Sequence, residues 1–257
     1  PKVSLIYLDQ MNRIGLTPHI AVIIGSDDMP LDESELKARV GDVVADLEYK
    51  RDSPRIRSLL LLFNLATLLG NPKSNLRFQF DNFKNESWDI EHVRSVTNRR
   101  PERHNERIDW LSNCLGYLKS QDTEHDLQTQ IESFNTLPQN EALDEIFDPL
   151  YESILEFFHE AEDDEADDSV SNLTLLDQST NRSYKNAVFA VKRQRLLSLD
   201  QSGIFVPLCT RNVFLKCYNS EADNLMFWSS EDRDAYGLAI VEVLTGFFSN
   251  EKEAIND

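Results

Sequence analysis

"WDIEHV", residues 88–93, and "SNLTLLDQSTNRSYKN", residues 171–186, are the two stretches on which the reading of this chain turns. In the first, Trp88 and Ile90 alternate with polar residues and Val93 follows, a period of two that predicts a short strand carrying His92 near its end. In the second, "NLTLL" predicts another short strand. It runs into a polar turn holding Asn181 and Asn186, and "AVFAVKRQRLLSL" then reads as a helix beginning near Asn186. The order is strand, long excursion, strand, helix, and a Glu91-His92 pair closes the first strand. The expected fold class is α+β, mostly helical, with this small ββα unit embedded among the helices.

The surroundings read as helix. "SPRIRSLLLLFNLATLLGNP" has Ser53 as N-cap, Pro54 in the first turn, Gly70 as stop and Pro72 beyond, with a nearly continuous apolar surface that predicts a buried element. Leu36, Val40, Val43, Val44 and Leu47 are spaced for a helix just before it, so the pair suggests a helical hairpin. Phe78 and Phe80 alternate with polar residues and suggest extended chain. Residues 105–160 are helical in pattern, with Phe147, Leu150, Ile154, Leu155 and Phe158 on one face. "EAEDDEADDS", 160–169, reads as a mobile acidic loop, too charged to pack. "GIFVPLCTRNVFLKCY" allows no clear assignment. "SSEDRDAYGLAIVEVLTGFF" opens with a Ser229–Asp232 capping box and predicts a C-terminal helix. The expected divisions are a helical N-terminal segment over 1–75, a site-bearing domain over 76–249 with an acidic helical insertion at 105–170, and a tail over 250–257.

At 257 residues and 40% hydrophobic composition the chain can bury a substantial core. The longest apolar run, Leu59 to Leu69, is interrupted by Asn64 and too short to cross a bilayer, so no membrane partner is expected. Three widely spaced cysteines, with no CxxC pair, fit a reduced cytoplasmic protein better than a disulfide framework. The chain opens on Pro1 without a methionine, which leads us to expect an upstream domain. Its net charge of −19 argues against nucleic acid until its distribution is read. Asp122 to Asp168 holds 17 of the 45 acidic residues and no Lys or Arg. Outside it, basic residues cluster after each of the two deciding stretches: Arg94, Arg99, Arg100 and Arg103 after the first, Arg182, Lys185, Lys192 and Arg193 in and after the second. These are the candidate DNA contacts, and solvated surface charge is the competing reading of the same clusters.

The order of Glu91-His92, "NLTLL" and Asn181 before a helix resembles the HNH, or His-Me finger, nucleases. "WDIEHV", "NLTLLDQSTNRSYKNAVFAVKR" and "FVPLCTRNVFLKCY" together are similar to the C-terminal nuclease domain of GmrSD-type restriction proteins, over roughly residues 55 to 249. After the histidine, "RSVTNRRPERH" departs from the family's usual pattern. The resemblance implies a ββα unit gripping one divalent ion, Mg²⁺ or Mn²⁺. It implies His92 as general base, Glu91 and Asn181 as metal ligands, Asn172 as a brace, and Lys185 facing a phosphate. It further implies an anti-phage DNA endonuclease with a nucleotide-hydrolysing domain upstream, and a homodimer where both strands are cut. The chemistry is coherent: an imidazole can take a proton from water at neutral pH, and a hard cation held by carboxylate and amide oxygens can stabilise a leaving oxygen. The alternative from another class is a noncatalytic acidic protein that imitates DNA or docks a basic partner.

Overall fold

The computed structural model describes residues 32–71, 73, 76–85, 87–95, 100–160, 167–178, 180, 187–221 and 224–255. Helix α1 (Glu33–Asp46) starts where Asp32 accepts from the Glu35 backbone N–H at 2.8 Å and Glu35 returns the bond at 3.1 Å, a reciprocal cap. Helix α2 (Ser53–Leu69) begins one residue earlier than the Ser53 cap predicts. Asp52 takes the cap position, and the Ser53 hydroxyl instead accepts from the Lys50 N–H at 3.1 Å. Ile56, Leu59 to Ala66 and Leu68 of α2 are buried, as the unbroken apolar surface requires. Asn64, the polar break in that run, is itself buried. Its amide donates to the Leu60 carbonyl and its oxygen accepts from the Cys209 N–H at 2.9 Å, so it joins α2 to the later helix α8 (Leu208–Phe214). The unassigned stretch around Pro207 is thus that short helix, with Pro207 as its cap.

Between α2 and the first strand lies helix α3 (Phe80–Asn85), where alternating phenylalanines suggest extended chain. Packing overrides the pattern: Phe78, Phe80, Phe83, Trp88 and Phe205 form one aromatic cluster with ring centroids 5.1–5.6 Å apart. Strand β1 (Trp88–His92) pairs antiparallel with β2 (Leu173–Asp177), and this is the two-stranded sheet of the described residues. β1 alternates between buried and half-buried residues, whereas β2 is buried throughout. Helices α4 (His104–Gln121), α5 (His125–Asn135) and α6 (Asp144–Phe157) fill the excursion between the strands and pack in sequence on one another. Helix α7 (Phe189–Gln201) follows β2, and helix α9 (Ser230–Ile255) begins with the expected Ser229–Asp232 reciprocal bonds.

The expected hairpin of α1 and α2 gives way to a different arrangement: each helix packs against α9, and α2 also supports β1, β2 and α8. One continuous core runs from Leu36 through the sheet to Phe248. The mainly helical architecture with a single small sheet is the α+β class. The acidic run also differs from its reading, because Glu160 is 5% exposed and residues 167–169 are bound in place; 161–166 lie outside the described residues.

Candidate active site

The register of the sheet sets the site. His92 stands opposite Leu173 and Glu91 opposite Thr174, so both lie at the end of β1 nearest the turn that feeds β2. The ladder continues one step through Val93 N–H to the Asn172 carbonyl at 2.8 Å. The Asn172 side chain then clasps the next residue: its oxygen accepts from Arg94 N–H at 2.9 Å, and its amide donates to the Arg94 carbonyl at 3.2 Å and to the Asp167 carbonyl at 3.0 Å. At 2% exposure, an amide that fits three backbone groups fixes the chain leaving His92 to the chain entering β2.

The imidazole of His92 is 4% exposed. Its Nε2 lies 2.8 Å from Asp168 Oδ1, and the Tyr49 ring packs T-shaped on it at a centroid distance of 4.7 Å and 83°. Burial holds the His92 pKa below its ordinary value, with the nearby Lys192 ammonium adding to the depression and the Asp168 and Glu91 carboxylates opposing it. The ring is therefore neutral near pH 7, the form that can accept a proton.

Lys192, on the second turn of α7 and 1% exposed, reaches back to β1. Its ammonium lies 2.6 Å from Glu91 Oε1 and donates to the His92 carbonyl at 2.7 Å. Glu91 Oε2 has no partner among the described residues, which leaves one carboxylate oxygen to offer. Glu160 closes the other side of the helix. Its Oε1 accepts from the Phe189 N–H that opens α7, and its carbonyl accepts from Arg94 Nη2 at 3.2 Å. Burial raises its carboxyl to about 7, against the pull of the Phe189 N–H, Lys192 and Arg94.

Glu91, His92, Asn172, Arg94 and Lys192 thus converge, and the charges of Arg94 and Lys192 lie inside the site instead of on an outward face. Asn181, Arg99, Arg182 and Lys185 lie outside the described residues. Arg100 is joined to Asp144 and Asp148 of α6, Arg103 is open to solvent, and Arg193 donates to the Phe214 carbonyl at 3.0 Å. Sequence reasoning missed Asp168, Glu160 and Tyr49. Nothing in their spacing marks them, since each reaches the site through the fold. Among the described residues no group of three or more His, Cys, Asp or Glu is arranged to hold a metal ion. No helix among them is long and apolar enough to cross a membrane.

The family model described as "GmrSD restriction endonucleases, C-terminal domain" matches residues 42–206. The chain belongs to this family. No curated protein and no solved structure gives a significant match. The GmrSD match takes in β1, the helical excursion, β2 and α7, so every residue of the site lies within it. Membership implies a restriction-endonuclease type of role, with DNA as substrate, in a multidomain protein. Two elements beyond the GmrSD match also hold the site: α8 supplies Thr210, which donates to the Leu175 carbonyl at 2.6 Å, and α9 supplies Tyr236, whose hydroxyl donates to the Leu173 carbonyl at 3.1 Å.

Proposed function

We propose that this domain hydrolyses DNA phosphodiesters by an HNH-type mechanism, with His92 as general base. The observation that carries the reading is the convergence at one strand end: a buried, neutral imidazole beside a carboxylate, with the outgoing chain clasped by Asn172 and the helix after β2 tied back through Lys192. His92 accepts a proton from water as the water oxygen bonds to phosphorus. The bond from phosphorus to the 3′ oxygen breaks, and that oxygen leaves with a proton from solvent. The water is one proton poorer and the ring one richer until it returns the proton to solvent. Proton transfer by a positioned base is worth about 10²- to 10⁴-fold.

Glu91, through the oxygen without a partner among the described residues, and Asn181 are the residues that would hold a divalent ion, and the donor set suits a hard cation because both offer oxygen. A bound Mg²⁺ or Mn²⁺ would supply charge neutralisation on the phosphate and help for the leaving oxygen. Lys192 neutralises Glu91 and anchors the strand end, so of the basic residues Arg103, with Arg99, Arg182 and Lys185, is left to meet the DNA backbone. In the cell the domain would serve a cytoplasmic anti-phage restriction protein beside a nucleotide-hydrolysing domain, as a homodimer where both strands are cut.

DNA mimicry is the weaker reading. A mimic needs an array of free carboxylates, yet within the acidic run Asp144 and Asp148 are joined to arginines, Glu132 to Lys119, Asp167 to Arg233 and Asp168 to His92. Incubation of the chain with supercoiled plasmid and Mg²⁺ or Mn²⁺ tests the proposal: relaxed circles that vanish with chelator and with His92→Ala are the expected result. Uncleaved plasmid under every divalent metal would overturn it.

A further inference from the structure

We infer that Asp168 is a positioning residue for His92: it holds the ring in the tautomer protonated on Nε2 and so leaves Nδ1 as the atom that takes the proton from water. The inference rests on the reading of His92 as base. A neutral imidazole carries its hydrogen on one nitrogen only, and an ionised carboxylate oxygen can only accept. At 2.8 Å from Asp168 Oδ1, Nε2 must be the donor. Nδ1 has no hydrogen-bond partner among the described residues. With Tyr49 packed T-shaped against the ring, a flip about Cβ–Cγ, which would put Cε1 where Nε2 stands, meets both an aromatic wall and the loss of the Asp168 bond.

The backbone that carries the carboxylate is itself held on both sides. The Asp168 carbonyl accepts from Tyr49 N–H at 2.9 Å, and its neighbour Ser169 forms an isolated β-bridge with Glu48. On the other side Asp167 is ion-paired with Arg233 of α9 at 2.9 Å, and its carbonyl takes the amide of Asn172. Asn172 therefore binds the backbone beyond His92 and the backbone before Asp168 with one side chain, which sets the spacing of the pair. A purely structural ion pair at the surface would not require its partner ring to be buried, nor its own backbone to be tied at both neighbours. When Nδ1 gains the proton, the ring becomes a cation in a buried position, and the Asp168 carboxylate already faces it.

The test pairs a measurement free of substrate and metal with a kinetic one. Nitrogen-15 shifts of the His92 ring in the metal-free chain report which nitrogen carries hydrogen. The parent should show Nε2–H, and Asp168→Asn, which preserves size but can donate as well as accept, should shift the ring toward a mixture of tautomers. Asp168→Ala, which removes the acceptor, should do the same if the asparagine form fails to fold. On plasmid, kcat should fall roughly 10- to 100-fold, as for other outer partners of a functional histidine, with KM changed little. In a His92→Ala background the Asp168 substitution should have no further effect. A variant that keeps the Nε2–H tautomer, or one that keeps the parent kcat, overturns the inference. If His92→Ala cleaves as well as the parent, the base assignment fails instead, and the ring shifts still decide whether Asp168 positions His92.

Discussion

The ββα region and the helical excursion that separates its strands treat charge in opposite ways. Around β1, β2 and α7, Lys192, Glu160, Arg94 and His92 are all buried; the first three are held by backbone groups and His92 by Asp168. In α4 to α6 the carboxylates stand at the surface; the half-buried Arg100 and the buried Arg107 lie over the Phe147 ring at 5.2 and 4.6 Å and share the exposed Asp144. Exposed pairs contribute little, whereas a buried charge stripped of its partner is costly. Lys192, Glu160 and His92 thus stand where mispairing weakens the fold most, a pattern found at functional sites as well as in structural pairs such as Lys216–Asp232.

The comparison can be broken by substitutions on either side. The largest effect belongs to His92→Ala, expected to lower plasmid cleavage by about 10²- to 10⁴-fold with an unchanged circular dichroism spectrum. Full activity in a folded variant would remove the functional half of the contrast. Next is Lys192→Met, which leaves the Glu91 carboxylate without its ammonium and the His92 carbonyl without its donor. Urea unfolding in chelator should show a loss of about 3 kcal/mol, and a value near zero would mean that the charge is not effectively buried.

Glu160→Gln sharpens the contrast through pH. The folded carboxyl at about 7 lies above the ordinary 4.5, so between these values the folded chain binds the extra proton. The parent's stability from this group is present below about 4.5 and lost as pH rises through about 7. Glutamine keeps an acceptor for Phe189 N–H without the charge. The Tm advantage of the variant should therefore grow from pH 4.5 to 7 and level off above, and equal Tm differences at pH 5 and pH 8 would refute it. The smallest effect is expected from Arg103→Gln, whose side chain is 81% exposed. Its urea midpoint should match the parent's, while the salt slope of DNA binding falls by about one. A changed midpoint with an unchanged slope would make Arg103 structural.

What sequence alone conveyed follows the range of the forces involved. Both strands were legible because alternation is a local property, and Glu91 and His92, on β1, and Asn172, directly before β2, could be singled out as candidates for the same reason. The capping box at Ser229 and Asp232 was legible for the same reason. Asp168 and Glu160 were not, because a run of acids reads as solvated until the fold brings an imidazole, a helix N-terminus and an arginine against it. Lys192 read as a phosphate contact since its sequence neighbours are basic, and only burial shows its ammonium facing inward. The partners of α1 and α2 were misassigned for a related reason: apolar spacing states which face is covered, and the covering helix α9 lies at the far end of the chain.

The distance between β1 and the helix that secures it has a consequence for synthesis. Lys192 and the His92 carbonyl it binds are 100 residues apart in the chain. At translation rates of about 5–20 residues per second, β1 is synthesised on the order of 5–20 seconds before its lysine. Asp168 is made 76 residues after His92 and β2 follows within a few residues, so for most of that interval Glu91 and His92 have neither beside them. A nascent chain therefore carries Glu91 and His92 without the geometry that surrounds them in the fold, which arrives only when the excursion has folded and β2 has closed onto β1.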